Sequence, residues 1–109
     1  MDRSLSSRLV LHGALVFLVG LAAGFPFAFE ILQKFELWPL PWSFPLDPPG
    51  DLRAWRMAHM EGLLNGIVLV AVSSVGESVR LSPREQRWVY GGLVLAAWGN
   101  TIASTLSPI

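Results

Sequence analysis

The sequence predicts an all-α integral membrane protein, with residues 1–109 forming a single transmembrane domain of three helices. Of the 109 residues, 52% are hydrophobic and only 15% are charged. A soluble domain of this size could not bury so much apolar surface, whereas a helix bundle in lipid has no need to bury it. The formal net charge is zero and there is no basic stripe, so we expect no nucleic-acid partner. The absence of cysteine excludes disulfides and thiolate-bound metals.

The first predicted helix covers about residues 9–29, which is long enough to cross a hydrocarbon core of about 30 Å. The alternative is a signal peptide, because Arg8, an apolar stretch and small residues at 22–24 resemble its three regions. We favour a retained helix, since the apolar run continues to Phe29, beyond the usual ~7–15 residues of a signal. Pro26 is expected to kink or end this helix.

Residues 30–53 form a predicted interfacial loop rich in proline and tryptophan. Proline removes a backbone donor and fixes φ, so the five prolines between positions 39 and 49 argue against a helix. Trp38 and Trp42 suit the headgroup layer, where one edge of the indole meets water and the rest meets lipid. We therefore expect this loop to lie on the membrane surface or to dip into it.

The other two helices are predicted at about residues 54–77 and 86–106. Asp51 is a candidate N-cap for the former, and Ser82-Pro83 followed by Glu85 is a start signal for the latter. Orientation follows from positive charges, which are more frequent in cytoplasmic loops. The eight positive charges divide between the two membrane surfaces. Those on the side of the N-terminus are Arg3, Arg8, Arg80, Arg84 and Arg87, and those on the opposite side are Lys34, Arg53 and Arg56. This bias predicts a cytoplasmic N-terminus.

The residues that could carry chemistry concentrate in the segment AHMEGLLNG at positions 58–66. Ionisable residues inside a membrane are costly and are usually functional. His59, Gly62 and Gly66 share one helix face, where an imidazole beside two glycines could hold a flat macrocycle close to the backbone. Glu61 and Asn65 share a neighbouring face and could hydrogen-bond a substrate or the edge of a cofactor.

The same residues have plain structural interpretations. The spacing of Gly62 and Gly66 is also that of GxxxG helix packing. The His59 ring could bond a carbonyl group, and Glu61 could pair with Arg53 or Arg56 near the interface. The sequence leaves both interpretations open.

His12 lies about one turn inside the first helix, at the opposite end of the membrane from His59. With a rise of about 1.5 Å per residue, the two imidazoles are not expected to bind the same metal. We interpret His12 as a buried polar contact. The glycines interpreted as close-packing sites are Gly13, Gly20, Gly24, Gly91 and Gly92.

Asn100 and Ser104 share a face of the third helix. Buried amides and hydroxyls in a membrane usually bond across helices. The functional interpretation is that this face meets Glu61 and Asn65 across one pocket.

The 58–66 segment, followed by an apolar run, a charged turn and a helix carrying Trp98-Gly99-Asn100, resembles the styrene oxide isomerase and hydroxylaminobenzene mutase group of small membrane proteins. The His12-Gly13 pair resembles a His-Gly near the start of the isomerases. The resemblance implies a haem b protein of the bacterial inner (plasma) membrane that assembles as a trimer. It implies that His59 is the iron ligand and that Asn65 positions a small aryl epoxide, which ferric iron rearranges to an aldehyde as a Lewis acid.

The sequence departs from the isomerases at two points. Ser104 stands where they carry a catalytic tyrosine, and the chain ends before the fourth transmembrane helix of that family. We therefore expect either an incomplete chain or a bundle closed by subunit contacts.

The leading hypothesis is a haem-dependent membrane isomerase acting on a small hydrophobic aromatic epoxide. His59 would be its iron ligand and Asn65 its substrate anchor; the further pocket candidates are Gly62, Gly66, Glu61, Asn100 and Ser104. One alternative is a mutase that converts an arylhydroxylamine to an aminophenol. The other is a non-enzymatic membrane module whose glycines and asparagines only pack helices.

Overall fold

The computed structural model describes residues 1–109 apart from the side chain of Glu77. The elements of this range are helix α1 (Arg3–Leu32), strand β1 (Lys34–Glu36), strand β2 (Ser43–Pro45), helix α2 (Leu52–Val75), a 3₁₀ turn (Gly76–Ser78) and helix α3 (Pro83–Leu106). The helices lie where the sequence predicts them, although each begins two to six residues earlier. The chain is therefore mostly helical, but the two strands make the all-α prediction incorrect for the 30–53 loop.

Helix α1 continues past Pro26 and ends at Leu32, so the prediction that the proline could end it is wrong. Proline costs the helix one backbone donor, and apolar residues on both sides continue the same helix. The actual stop is Gln33, which adopts a left-handed conformation with φ 56°. Its backbone N–H donates to the carbonyl of Phe29 across 2.7 Å and so caps the last turn.

Strands β1 and β2 form an antiparallel hairpin within the proline-rich loop. Phe35 lies opposite Phe44, and their rings stack with centroids 4.9 Å apart. Pro45 is tolerated because it ends the second strand of a two-stranded sheet. The hairpin folds the loop against the C-terminal end of α1, where the Phe29 ring lies 5.1 Å from that of Phe35.

The starts of α2 and α3 confirm the helix signals in the sequence. The Asp51 side chain accepts a hydrogen bond of 2.7 Å from the backbone N–H of Ala54. Ser82 and Glu85 form a capping box, in which each side chain accepts from the backbone of the other. Polar side chains that cap the first turn thus determine where both helices begin.

Helices α1 and α2 pack antiparallel through interlocking glycines. A Cβ added to Gly66 would lie 2.7 Å from the carbonyl oxygen of Gly13, and one added to Gly20 would lie 2.6 Å from the Leu63 nitrogen. A Cβ on Gly62 would meet the Cα of Gly20. Backbones this close are typical of glycine-mediated packing in membrane helices. The close-packing interpretation of the α1 glycines is therefore confirmed.

Helix α3 runs parallel to α1 and covers one side of the α1–α2 pair. Its buried residues are Ala97 and Thr101. Gly91 and Gly92 have open space around them, because an added Cβ would meet nothing within 4 Å. Their interpretation as close-packing sites is wrong within one chain, since both lie on the outward face of α3.

Among the described residues, α1 and α2 are long and apolar enough to cross a membrane. Helix α3 does not meet the same criterion, because glycines, hydroxyl residues and Asn100 dilute its apolar residues. Leu9 and Val16 of α1 are completely buried against the other helices.

Candidate functional site

His59 lies against a notch in α1 formed by Gly20 and Gly24. Its Nδ1 is 2.7 Å from the carbonyl oxygen of Gly20. A Cβ added to Gly24 would lie 2.9 Å from the Cε1 of the imidazole, so glycine is needed there to seat the ring. The Phe27 ring tilts over the imidazole with centroids 5.9 Å apart. Thus α1, rather than the helix carrying His59, shapes the site.

The hydrogen bond to Gly20 determines which nitrogen of His59 can bind a metal. A carbonyl oxygen only accepts, so Nδ1 carries the hydrogen and Nε2 keeps the lone pair of the neutral ring. The Nε2 atom has no hydrogen-bond partner among the described residues and is not enclosed. Metal-bound histidines usually donate their other N–H to a carbonyl or carboxylate in this way. The residue therefore fits the role of a single axial ligand.

The predicted role of Gly62 and Gly66 beside a macrocycle is not supported. Both glycines are buried against the α1 backbone, at the contacts with Gly20 and Gly13 described above. A planar cofactor cannot occupy a face that another helix already fills. The packing interpretation of this GxxxG pattern therefore holds for the single chain.

Glu61 and Asn65 form a pair on α2, as their spacing predicts. The Asn65 amide donates to Glu61 Oε2 at 2.8 Å and to the Glu61 carbonyl at 2.7 Å. Both amide hydrogens are thus engaged, which leaves Oδ1 of Asn65 as the group open to a ligand. Among the described side chains Glu61 makes no ion pair with Arg53 or Arg56.

His59 and Asn65 point in different directions. They are six residues apart, and at about 100° per residue their side chains diverge by about 120° around α2. Asn65 shares its flank with Leu69 and Val72, which pack in the cluster that includes α3. His59 faces α1 instead. One chain therefore does not bring these two predicted site residues onto one ligand.

The third predicted group, Asn100 and Ser104, lies on α3 with Asn100 exposed and Ser104 half-buried. No hydrogen bond between described side chains joins this pair to Glu61 or Asn65, so the expected shared pocket is not formed by direct contact. Thr101 is not among the predicted site residues, although its buried Oγ1 has no hydrogen-bond partner among the described residues. Its spacing of four residues from Ala97 marks the buried face of α3.

His12 is a polar contact between helices, as the sequence predicts. The Trp98 indole N–H donates to His12 Nδ1 at 3.0 Å, and the Tyr90 ring meets the imidazole edge-on at 6.1 Å. Indole is a donor only, so this bond places the hydrogen of neutral His12 on Nε2. The two histidines of the chain therefore hold opposite tautomers and contact different helices.

The comparisons with known proteins match this arrangement to one family. The family model for styrene oxide isomerase matches residues 5–109, a range that includes α2, α3 and all of α1 except its first two residues. No curated protein matched the chain in a sequence search. The resemblance carried by the 58–66 segment and the Trp98-Gly99-Asn100 motif is thereby confirmed. The chain belongs to the styrene oxide isomerase family.

Proposed function

We propose that this chain is a haem b-dependent membrane isomerase that rearranges small aryl epoxides of the styrene oxide type to aldehydes. The observation that carries the proposal is the tautomer of His59. Its Nδ1–H donates to the carbonyl oxygen of Gly20, and its Nε2 keeps the lone pair. Membership of the styrene oxide isomerase family supports the isomerase class. One imidazole is enough for a haem, whereas a zinc site needs three or four ligands.

The residues of the chain have distinct tasks in this proposal. His59 holds the iron, and the bond to Gly20 fixes the orientation and the tautomer of the imidazole. A ferric haem supplies Lewis acidity toward an epoxide oxygen. Asn65 anchors the substrate near that oxygen, and Glu61 holds the Asn65 amide in one orientation. The Phe27 ring, 5.9 Å from that of His59, would help to keep out water, which would otherwise open an epoxide to a diol.

The proposal includes three membrane spans, namely α1, α2 and residues 88–106 of α3, in a bacterial inner membrane. The segment 88–106 carries no charged residue and is about 28 Å long as a helix, close to the thickness of a hydrocarbon core. Trp38 and Trp42 are 90% and 61% exposed, as expected for side chains in the headgroup layer. The arginine bias supports a cytoplasmic N-terminus.

We further propose a homo-oligomer, which the resemblance implies to be a trimer. The divergence of His59 and Asn65 supports it, because a site using both needs a second copy to supply one of them. An apolar groove of about 570 Å³ runs between α1 and α2 and is lined by Phe17, Gly66 and Ile67, among others. Gly66 shares a helix flank with His59 but lies about 10 Å further along α2, and His59 does not line the groove.

A second candidate function is the mutase that converts an arylhydroxylamine to an aminophenol. The observation in its favour is that Asn65 offers a free carbonyl oxygen while Glu61 takes both of its amide hydrogens. An arylhydroxylamine has N–H and O–H donors for that oxygen. An epoxide has only an acceptor, so binding it requires one Asn65 N–H to leave Glu61.

The test compares absorbance spectra and products. Wild type, His59→Ala and the matched control His12→Ala are purified in detergent after haem supplementation and scanned for a Soret band. Membranes containing each are incubated with styrene oxide or with phenylhydroxylamine, and the products are identified. We expect the band and phenylacetaldehyde from wild type, the band in His12→Ala, and neither in His59→Ala. A wild type with no band would support the packing module, and aminophenol as the only product would support the mutase.

A further inference from the structure

A cleft of about 610 Å³ lies on the outward face of α3. The lining residues are Arg84, Arg87, Trp88, Gly91, Gly92 and Leu95. This face is opposite the buried Ala97 and is not covered by α1 or α2. Two adjacent glycines leave a depression between Trp88 and Leu95, whose side chains are 72% and 76% exposed.

The cleft is charged at one end and apolar at the other. Arg84 and Arg87 stand at the end nearest the helix start, and neither forms an ion pair among the described side chains. The nearby carboxylate of Glu85 is engaged with Ser82 in the capping box. A neighbouring cleft that Arg87 also lines contains Arg8 and Asp2, whose opposite charges offset each other.

We propose that this cleft binds an anionic phospholipid of the cytoplasmic leaflet. The guanidinium groups of Arg84 and Arg87 hold the phosphate, and an acyl chain lies over Gly91 and Gly92 toward Leu95. From Arg84 to Leu95 the helix rises about 16 Å, which matches the depth of one leaflet of a core about 30 Å thick. The inference rests on the membrane orientation proposed above for α3 and does not depend on the isomerase chemistry.

The positive charge of the two arginines favours a lipid over a second copy of the chain as the occupant of the cleft. A protein surface seated here would take two arginines out of water, and each buried cation needs a negative partner. A phospholipid supplies that partner in its phosphate and fills the apolar part of the same cleft. Basic side chains near the cytoplasmic surface are attracted to anionic lipids in this way.

The test is lipid retention by the full chain, measured by native mass spectrometry from detergent containing equal amounts of dioleoyl phosphatidylglycerol and dioleoyl phosphatidylcholine. We expect wild type to retain phosphatidylglycerol preferentially. The double variant Arg84→Gln/Arg87→Gln should lower that retention about tenfold or more. Gly92→Leu should lower retention of both lipids by filling the depression.

Two controls match these variants. Arg53→Gln/Arg56→Gln removes two arginines from the other membrane surface, and Gly99→Leu enlarges an equally open glycine of α3 that does not line the cleft. Both should behave as wild type. Circular dichroism and the oligomer mass show that each variant is folded, independently of any haem band.

Equal retention of the two lipids by wild type, or unchanged retention by the double arginine variant, would overturn the proposal. So would a Gly92→Leu chain that loses its oligomeric state but keeps its phosphatidylglycerol, because the cleft would then be an interface between copies. Should Gly92→Leu not fold, Gly91→Ala provides the smaller change at the adjacent lining glycine.

Discussion

Nδ1 of His59 donates a hydrogen bond to the carbonyl oxygen of Gly20 across the α1–α2 interface, at 2.7 Å. This contact joins the proposed iron ligand to a glycine 39 residues away in the chain. The same interface contains the glycine contacts that hold the two helices together. Orientation of the ligand and packing of the bundle are therefore properties of one surface.

Gly24→Ala should disturb the ligand without unfolding the protein. The new Cβ would lie 2.9 Å from Cε1 and 3.0 Å from Nδ1 of His59, so the ring must move away from Gly20. We expect a shifted Soret band and faster loss of haem in detergent. Gly99→Ala is the matched control, because nothing lies within 4 Å of its added Cβ. Identical spectra for the two variants would contradict the assigned seat of the ring.

Gly66→Leu should destabilise the bundle itself. Its side chain would overlap the Gly13 carbonyl and Phe17, and such overpacking costs about 3 kcal/mol or more when backbone is in the way. Thermal unfolding in detergent, followed by circular dichroism, measures the loss. Gly91→Leu should unfold at the wild-type temperature, since its site is open. A Gly66→Leu protein of normal stability that lacks haem would instead restore the cofactor interpretation of that glycine.

The sequence was sufficient to predict the helix positions, both polar helix starts and the shared face of Glu61 and Asn65, because each depends on residues close in the chain. It could not decide what fills the face of Gly62 and Gly66. A spacing of three and four residues puts glycines on one face, but only the packed structure shows that α1 lies there. The hairpin was not predicted, because its two strands have only three residues each and lie among prolines, which argue against regular structure.

Tertiary contacts also explain the missed partners of the two histidines. The Gly20 and Gly24 spacing indicated packing, and nothing in it pointed to an imidazole from another helix. Trp98 was noted only as part of a family-like motif, although its indole holds His12. Both contacts join residues from different helices. The spacing of residues along one sequence does not indicate which side chains of different helices meet.

Asn65→Leu should separate substrate binding from iron binding. The variant removes the amide but leaves His59 on the other flank of α2, so the Soret band should stay unchanged. The kcat/KM for styrene oxide should fall by roughly 10² when the polar contact between the Asn65 amide and the reacting oxygen is lost. Glu61→Gln keeps a side-chain acceptor for Asn65 and should lose less. Full activity in Asn65→Leu would remove this residue from the proposed site.

The capping box of α3 should make stability depend on pH in the acid range. The backbone N–H and the hydroxyl of Ser82 hold the pKa of Glu85 below its ordinary value of 4.5. Because the folded-state pKa is lowered, the contribution is complete above pH 4.5 and is lost as the pH falls through the lowered value. Thermal midpoints of wild type and Glu85→Gln should therefore differ most at pH 7, and the difference should shrink as the pH falls below 4.5. A difference that does not change with pH would contradict this origin.

The Trp98–His12 hydrogen bond should couple α3 to α1 energetically. Removing the donor with Trp98→Phe or the acceptor with His12→Leu loses the same interaction, so the double variant should be less destabilised than the sum of the two. Interhelical bonds in membranes give coupling energies of about 0.6 to 1.7 kcal/mol. His12→Asn should retain part of the coupling, because its Oδ1 lies near the position of Nδ1 and accepts from the indole. Strictly additive effects in the thermal unfolding of these variants would show that the bond does not hold α3 in place.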